Sequence, residues 1–230
     1  MDESATLEPA IHVSVWFDVR CPWCYLGKRR LERALELFER KLPGIPVSVE
    51  HHSFELAPDI DDHFEGGEAE YLLRYEGVPL EQSARTLPAL EQLAATEGVE
   101  LRFADLTHVN TRRAHRVYQH AKREGLGEDM LERLFSGYFT ECLDLSKPDT
   151  LAALAASVGL DGDAARAASE SSEWDDAIHT DHRRAQMLGS GGVPFALVNA
   201  KYAISGAQQA EIFAAALEEV ARRDFGIAAE

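Results

Sequence analysis

Two thiols two residues apart, in Cys21-Pro22-Trp23-Cys24, are the residues of this chain best suited to covalent chemistry. At that spacing one sulfur can attack a foreign disulfide while the other resolves the mixed product and closes a small ring. The setting decides whether they do so. An apolar alternation precedes the pair, with Ile11, Val13, Val15 and Phe17 against His12, Ser14, Trp16 and Asp18, and reads as a strand. Leu26, Leu31, Ala34, Leu35 and Phe38 follow at helical spacing until Pro43-Gly44 stops the pattern. A strand that feeds a helix puts Cys21 at the helix N-terminus, where free backbone N–H groups and the helix dipole favour thiolate over thiol. Pro22 presets the first turn and stiffens the ring. By position, Cys21 is the exposed attacker and Cys24, one turn in, the covered resolver. Trp23 has no titratable group with which to hold a thiolate by charge, so the couple is expected to be less oxidising than the strongest dithiol oxidases.

Two other readings of the pair stay open at this point. A zinc site needs four ligands, and beyond Cys142 the chain offers only histidines, none at a companion Cys-x-x-Cys or His-x-x-x-His spacing. The thiols could also be inert and structural. Compartment bears on the choice. The N-terminal Met1-Asp2-Glu3-Ser4 lacks the basic and apolar regions of a signal peptide, and no run is long enough to cross a membrane as a helix, so the expected location is cytoplasmic. Cytosolic thiols are kept reduced, and three cysteines cannot build a disulfide framework, which leaves redox or metal chemistry for a Cys-x-x-Cys. A net charge of -17 argues against nucleic acid and anionic membranes as partners.

The remaining candidates each carry two readings. Val193-Pro194 after Gly191-Gly192 is either an edge-strand proline or a cis bond that sets the Val193 backbone beside the sulfurs, with the glycines permitting an unusual path. Asn110 and His115, near His108 and His120, either line a cleft facing the cysteines or are satisfied helix residues. Asp18 either takes the proton of Cys24 or is a solvated strand-end acid. Cys142 reads as a small apolar filler. Asp59, Asp61, Asp62 and Glu65 lack calcium-loop spacing and read as a solvated loop.

Along the rest of the chain, Ile45 to Phe54 holds a second strand. From about Gly67 the pattern is helical: Leu80 to Thr96, Thr111 to Arg123, Glu128 to Leu143, Leu151 to Val158 after a Ser146-Lys147-Pro148-Asp149 cap, and one or two helices over Ala164 to Met187. Strands return at Phe195 to Val198 and Lys201 to Ile204 around an Asn199-Ala200 turn, before a last helix from Ala207 to Arg223. The expected fold is a four-stranded α/β core interrupted by a large all-helical insertion between its βαβ and ββα halves. Residues 11–66 and 189–226 form the discontinuous core and 67–188 the insertion.

The segment Phe17-Asp18-Val19-Arg20-Cys21-Pro22-Trp23-Cys24-Tyr25-Leu26-Gly27-Lys28-Arg29-Arg30 resembles the active-site signature of DsbA-like thioredoxin-fold proteins of the FrnE type. Ser53-Phe54-Glu55-Leu56-Ala57-Pro58, Asn110-Thr111, Ala114-His115-Arg116, Gly192-Val193-Pro194-Phe195 and Ile204-Ser205-Gly206-Ala207-Gln208 continue the resemblance in the family order. It implies an α/β, thioredoxin-like fold with the large helical insertion, and thiol–disulfide oxidoreductase activity with Cys21 as nucleophile, Cys24 as resolver and Pro194 as a cis-proline. Pro22, Trp23, Val193, Pro194, Asn110 and His115 are the expected substrate-binding residues. Cys142 departs from the small residue usual after Phe139-Thr140-Glu141. The related 2-hydroxychromene-2-carboxylate isomerases and kappa-class glutathione transferases bind glutathione and carry serine in place of Cys21. The expected partner is thus a disulfide-containing protein or a small thiol, with no bound metal or cofactor and glutathione as a candidate redox partner. The alternatives are a glutathione-dependent isomerase or transferase and a zinc-stabilised binding module. Oligomeric state is not specified by the sequence.

Overall fold

The computed structural model describes residues 10–60 and 64–226. The acidic start Met1–Ser4, and Asp61 and Asp62 of the acidic loop, lie outside the described residues. Strand β1 (Ile11–Phe17) leads into helix α1 (Pro22–Lys41), which returns to β2 (Val47–Ser53). β1 and β2 pair in parallel from Ile11 opposite Val47 to Phe17 opposite Ser53. A parallel pair needs a crossover, and α1 supplies it.

Between β2 and the next strand the chain is helical: α2 (Glu68–Glu76), α3 (Leu80–Thr96), α4 (Arg112–Arg123), α5 (Gly127–Phe139), α6 (Pro148–Ser157), α7 (Gly162–Glu170) and α8 (Asp175–Met187). Strands β3 (Phe195–Val198) and β4 (Tyr202–Ser205) and helix α9 (Ala210–Phe225) close the fold. The sheet order is β2-β1-β3-β4, with β3 antiparallel to both of its neighbours. This is the expected thioredoxin-like core, with the helices α2 to α8 inserted between its βαβ and ββα halves.

Three packed layers follow from the strand alternation. On one face Val13, Val15, Ala196 and Val198 bury against Leu31, Ala34 and Phe38 of α1 and Phe213, Leu217 and Val220 of α9. On the other, Trp16, Phe54, Phe195 and Leu197 close over Ala185 of α8, and the Trp16 indole N–H donates to the Asp181 carbonyl at 2.8 Å. Helix α8 therefore covers the sheet as well as touching the helical block. The block has its own core, including Tyr118, Leu134, Phe135 and Phe139, and that core also encloses Phe17, Cys21, Cys24 and Leu26. The insertion thus sits on the end of β1 and the start of α1.

Several boundaries differ from the sequence expectation. α2 has no counterpart in it. α5 stops at Phe139 rather than running to Leu143, because Cys142 takes a left-handed φ of 55° and turns the chain out of the helix. Lys147, not Ser146, is the residue at the α6 N-cap, and the Ser146 hydroxyl bonds Asp144 instead. Ala164 to Met187 splits into α7 and α8 around a 3₁₀ turn at Ser172–Trp174. α9 starts at Ala210, three residues later than Ala207.

The β3–β4 turn holds both central residues at positive φ, 47° for Asn199 and 54° for Ala200, as a right-twisted hairpin requires. Asn199 tolerates that region and is tied by its side chain to the His12 N–H and to Asp224. Ala200 is exposed and has a Cβ that the conformation disfavours. Ala200→Gly is expected to stabilise the protein by about 0.5–1 kcal/mol, the strain relief exceeding the added chain entropy; urea unfolding at constant slope checks this.

Candidate active site

Cys21 is the N-cap residue of α1, with extended backbone (φ -84°, ψ 109°), and Pro22 opens the helix. The Cys21 N–H donates to the Asp18 carbonyl at 3.0 Å, and the Cys21 carbonyl accepts from Cys24 N at 3.0 Å and Tyr25 N at 3.4 Å. This turn fixes both sulfurs on one side of the helix start. Both thiols are free, and both are buried: Cys21 is 6% exposed and Cys24 3%. The expected exposure of Cys21 is therefore corrected. Trp23, at 43%, is the residue of the motif that faces solvent.

Burial pushes the Cys24 thiol well above the ordinary thiol range, and its hydrogen bond to the Cys21 sulfur and that sulfur's charge push the same way. Cys24 thus keeps its proton and shares it with Cys21. On the other side of Cys21, the Sγ lies 3.5 Å from the Val193 carbonyl oxygen, and the Val193–Pro194 peptide bond is cis. Gly27 lets α1 approach this loop, since a Cβ there would meet the Pro194 ring at 3.3 Å. Gly191 and Gly192 adopt no left-handed φ, and nothing lies within 4 Å of where their Cβ atoms would be. The unusual backbone path expected of them is absent.

Asp18 is fully buried rather than solvated. Its carboxylate accepts from Leu56 N at 2.7 Å and Arg20 N at 3.3 Å, and lies 3.4 Å from His115 Nε2. Burial alone would raise its pKa, but the His115 bond, the charges of His115 and Arg20 and the Leu56 N–H together hold it below the usual range. His115 lies under the dithiol, its ring against Phe17, and does not line the cleft. Asn110 does not line it either. Its amide donates to the Pro58 and Ile60 carbonyls, both at 3.0 Å, and its oxygen accepts the Arg112 N–H, which ties the loop after β2 to the start of α4. His120 packs edge-on to Trp174. Cys142 is only partly buried and its thiol faces the Arg102 carbonyl at 3.7 Å.

A cleft of about 550 Å³ opens over Cys21. Arg20, Pro22, Trp23 and Val193 form the side that carries the sulfur, and α2 and α3 form the opposite wall. From α2 come Glu68, Tyr71, Leu72, Tyr75 and Glu76. Their spacing of three, one, three and one is that of a single helix face, which is the signal in the sequence that could have revealed this helix. The Arg20 guanidinium lies 4.3 Å over the Tyr71 ring and donates to the Val109 carbonyl at 3.0 Å. Burial raises Glu68 to about 7 against the pull of Arg20, with Glu76 adding to the rise. His108 Nε2, 3.5 Å from Glu68, is pushed down to about 4 by burial and by the Arg20 charge. Among the described residues no group of acidic, histidine and cysteine side chains could hold a metal ion.

The family model described as "DSBA-like thioredoxin domain" matches residues 12–218. Among solved structures, a probable DsbA oxidoreductase from Streptomyces coelicolor is 34% identical and superposes with a TM-score of 0.85, over 93% of this chain and 91% of that one. A 2-hydroxychromene-2-carboxylate isomerase superposes with a TM-score of 0.72 at 16% identity, over 94% of this chain and 99% of that one, a likeness of fold. The uncharacterized protein YwbO of Bacillus subtilis is 27% identical over 170 residues, covering 72% of this chain and 75% of YwbO.

Glu68 makes stability depend on pH. Its folded pKa, about 7, exceeds the ordinary 4.5, so the folded state binds its proton more tightly than the unfolded state does. The cost of ionising it in place is absent below pH 4.5 and complete above pH 7, and amounts to roughly 3 kcal/mol. Glu68→Gln is therefore expected to stabilise the protein by about that amount at pH 8 and hardly at all at pH 4.5; urea unfolding at the two pH values measures the difference.

Proposed function

Because the chain belongs to the DSBA-like thioredoxin domain family, we propose that it is a thiol–disulfide oxidoreductase working through Cys21 and Cys24. The observation that carries this reading is the pair of sulfurs at the start of α1, with Cys21 beside the Val193 carbonyl and Cys24 buried one turn further in, where burial and the Cys21 sulfur favour its thiol form. The Cys21 thiolate attacks one sulfur of a substrate disulfide, and the other substrate sulfur leaves as a thiolate. Cys24 then gives up its proton and attacks Cys21 Sγ, which expels the second substrate thiolate and leaves a Cys21–Cys24 disulfide. Run backwards, the same steps donate that disulfide. Pro22, Trp23, Val193 and Pro194 hold the substrate around the sulfur, and Asn110 and His115 act by fixing the loop and the carboxylate beneath it.

The cleft over Cys21 is large enough for a small thiol, which favours glutathione as a redox partner and keeps a second reading, a glutathione-dependent isomerase or transferase. Retention of both cysteines supports the dithiol reading. Among the described residues no helix is long and apolar enough to cross a membrane. We place the protein in the cytoplasm, where the reduced resting state favours disulfide reduction or isomerisation over oxidation.

In graded glutathione buffers, alkylation and mass measurement should show one cooperative two-electron transition, between about -120 and -270 mV. Cys24→Ser should arrest at a mixed disulfide on Cys21, and Cys21→Ser should abolish exchange. A lasting single glutathione adduct on wild-type Cys21 with no internal disulfide, together with isomerase or transferase activity that survives Cys21→Ser, would establish the second reading instead.

A further inference from the structure

The dithiol cycle has one step that the site described so far does not supply. Cys24 is buried, holds its proton against release, and must lose it before it can resolve the mixed disulfide. Asp18 is a poor acceptor: its oxygens already face Leu56 N, Arg20 N and His115, its charged form is the favoured one, and it has no exposure through which to pass a proton on.

A separate cavity of about 10 Å³, which shares no lining residue with the cleft, lies against Cys24 and has room for a single water molecule. Its polar lining side chains are Cys24, Lys28 and His51. Lys28 is ion-paired to Glu32 and lies 3.2 Å from Glu132, so its ammonium is engaged. His51, at the buried end of β2, is different. Its Nδ1 lies 2.6 Å from Glu128 Oε1, while its Nε2 is buried with no hydrogen-bond partner among the described residues. Burial would raise Glu128, but the hydrogen bond from His51 and the charges of Lys28 and Lys122 hold it below the ordinary carboxylate range. An ionised carboxylate only accepts, so Nδ1 carries a proton, and in the neutral ring Nε2 then presents a lone pair toward the cavity. Tyr118 and Lys122 from α4 fix the strand at this point by donating to the His51 carbonyl, at 2.8 and 3.0 Å. The Glu128 side chain is 53% exposed, which opens the far end of the chain to solvent.

We propose that His51 is the proton acceptor for Cys24, reached through one water in this cavity, and that Glu128 is the positioning residue that sets its tautomer and passes the proton out. This inference rests on the oxidoreductase reading. The Cys24 S–H proton moves through the water to His51 Nε2, and the electron pair left on Cys24 forms the bond to Cys21 Sγ. The bond from Cys21 to the substrate sulfur breaks, and the departing thiolate takes its proton from solvent. The imidazolium is balanced by Glu128 until its Nδ1 proton leaves through that carboxylate.

The test separates the two chemical steps by stopped flow with glutathione disulfide. Closure of the internal disulfide from the glutathione adduct is expected to slow by on the order of 10²-fold at pH 7 in His51→Gln. Closure in that variant should then rise about tenfold per pH unit, as hydroxide replaces the internal acceptor. The first attack, compared in a Cys24→Ser background with and without His51→Gln, should not change. Glu128→Gln, a half-exposed substitution that leaves the core intact, should slow closure by a smaller factor and also spare the first attack. Closure at the wild-type rate and pH profile in either variant overturns the proposal, as does equal slowing of both steps. A wild-type protein that forms neither adduct nor internal disulfide overturns the oxidoreductase reading itself, and the relay with it.

Discussion

The burial of Cys24 is the constraint around which the rest of the structure is organised. A thiol one turn into a helix from an N-capping cysteine would ordinarily see water on one side. Here α5 and its neighbours close over it, and both sulfurs share a single apolar cluster with Phe135, Tyr138 and Phe139. Low polarity favours the neutral thiol over the thiolate, so the proton stays on Cys24. The adjacent Cys21 sulfur is the group to which that proton is offered. The helical insertion thus sets the environment of the dithiol: without its core the second sulfur would be hydrated and the two thiols would be harder to tell apart.

Keeping this region dry has an electrostatic cost that the structure meets with paired charges. Asp18 is enclosed completely, and an uncompensated carboxylate there would be prohibitive. His115 beneath it, the Arg20 and Leu56 N–H groups and the Arg20 charge offset that penalty. Arg20 serves both sides. Its charge reaches Asp18 on one and Glu68 and Glu76 on the other, while its flat face rests on Tyr71. The cleft wall contributed by α2 is therefore tied electrostatically to the residue next to the attacking cysteine. Glu68 remains the weak partner in this set, since Arg20 only partly offsets its burial.

What could be read from the sequence divides by the kind of signal. The strands around the dithiol are legible because apolar residues alternate along most of β1, and the cysteine motif marks its helix by following that strand directly. The α2 helix was missed because it is short and its cleft-facing residues include Glu68 and Glu76, which look solvated until Arg20 is placed opposite them. His115 lies on α4 and Asn110 just before it, and helical spacing does not say which face of α4 meets the sheet; neither lines the cleft, contrary to expectation. His51 carried no spacing signal at all. It stands beside His52 in a strand, and neighbouring strand residues point to opposite faces. His52 faces α8, stacked on Trp16 and 3.0 Å from Asp181, whereas His51 faces the interior between α1 and α5. Only the folded sheet separates the two.

That separation gives the dithiol two sides with different tasks. On the cleft side, Cys21 meets the Val193 carbonyl, Trp23 and the α2 wall, where a substrate sulfur must arrive. On the inner side, Cys24 meets a one-water cavity and a histidine whose free nitrogen faces inward. In the proposed cycle, a substrate that covers Cys21 would also shut the cleft to water at the moment when Cys24 must deprotonate. A proton path through the cleft would be blocked when it is needed. The proposed path through β2 and the solvent-exposed end of α5 would stay open throughout, because His51 and Glu128 do not line the cleft.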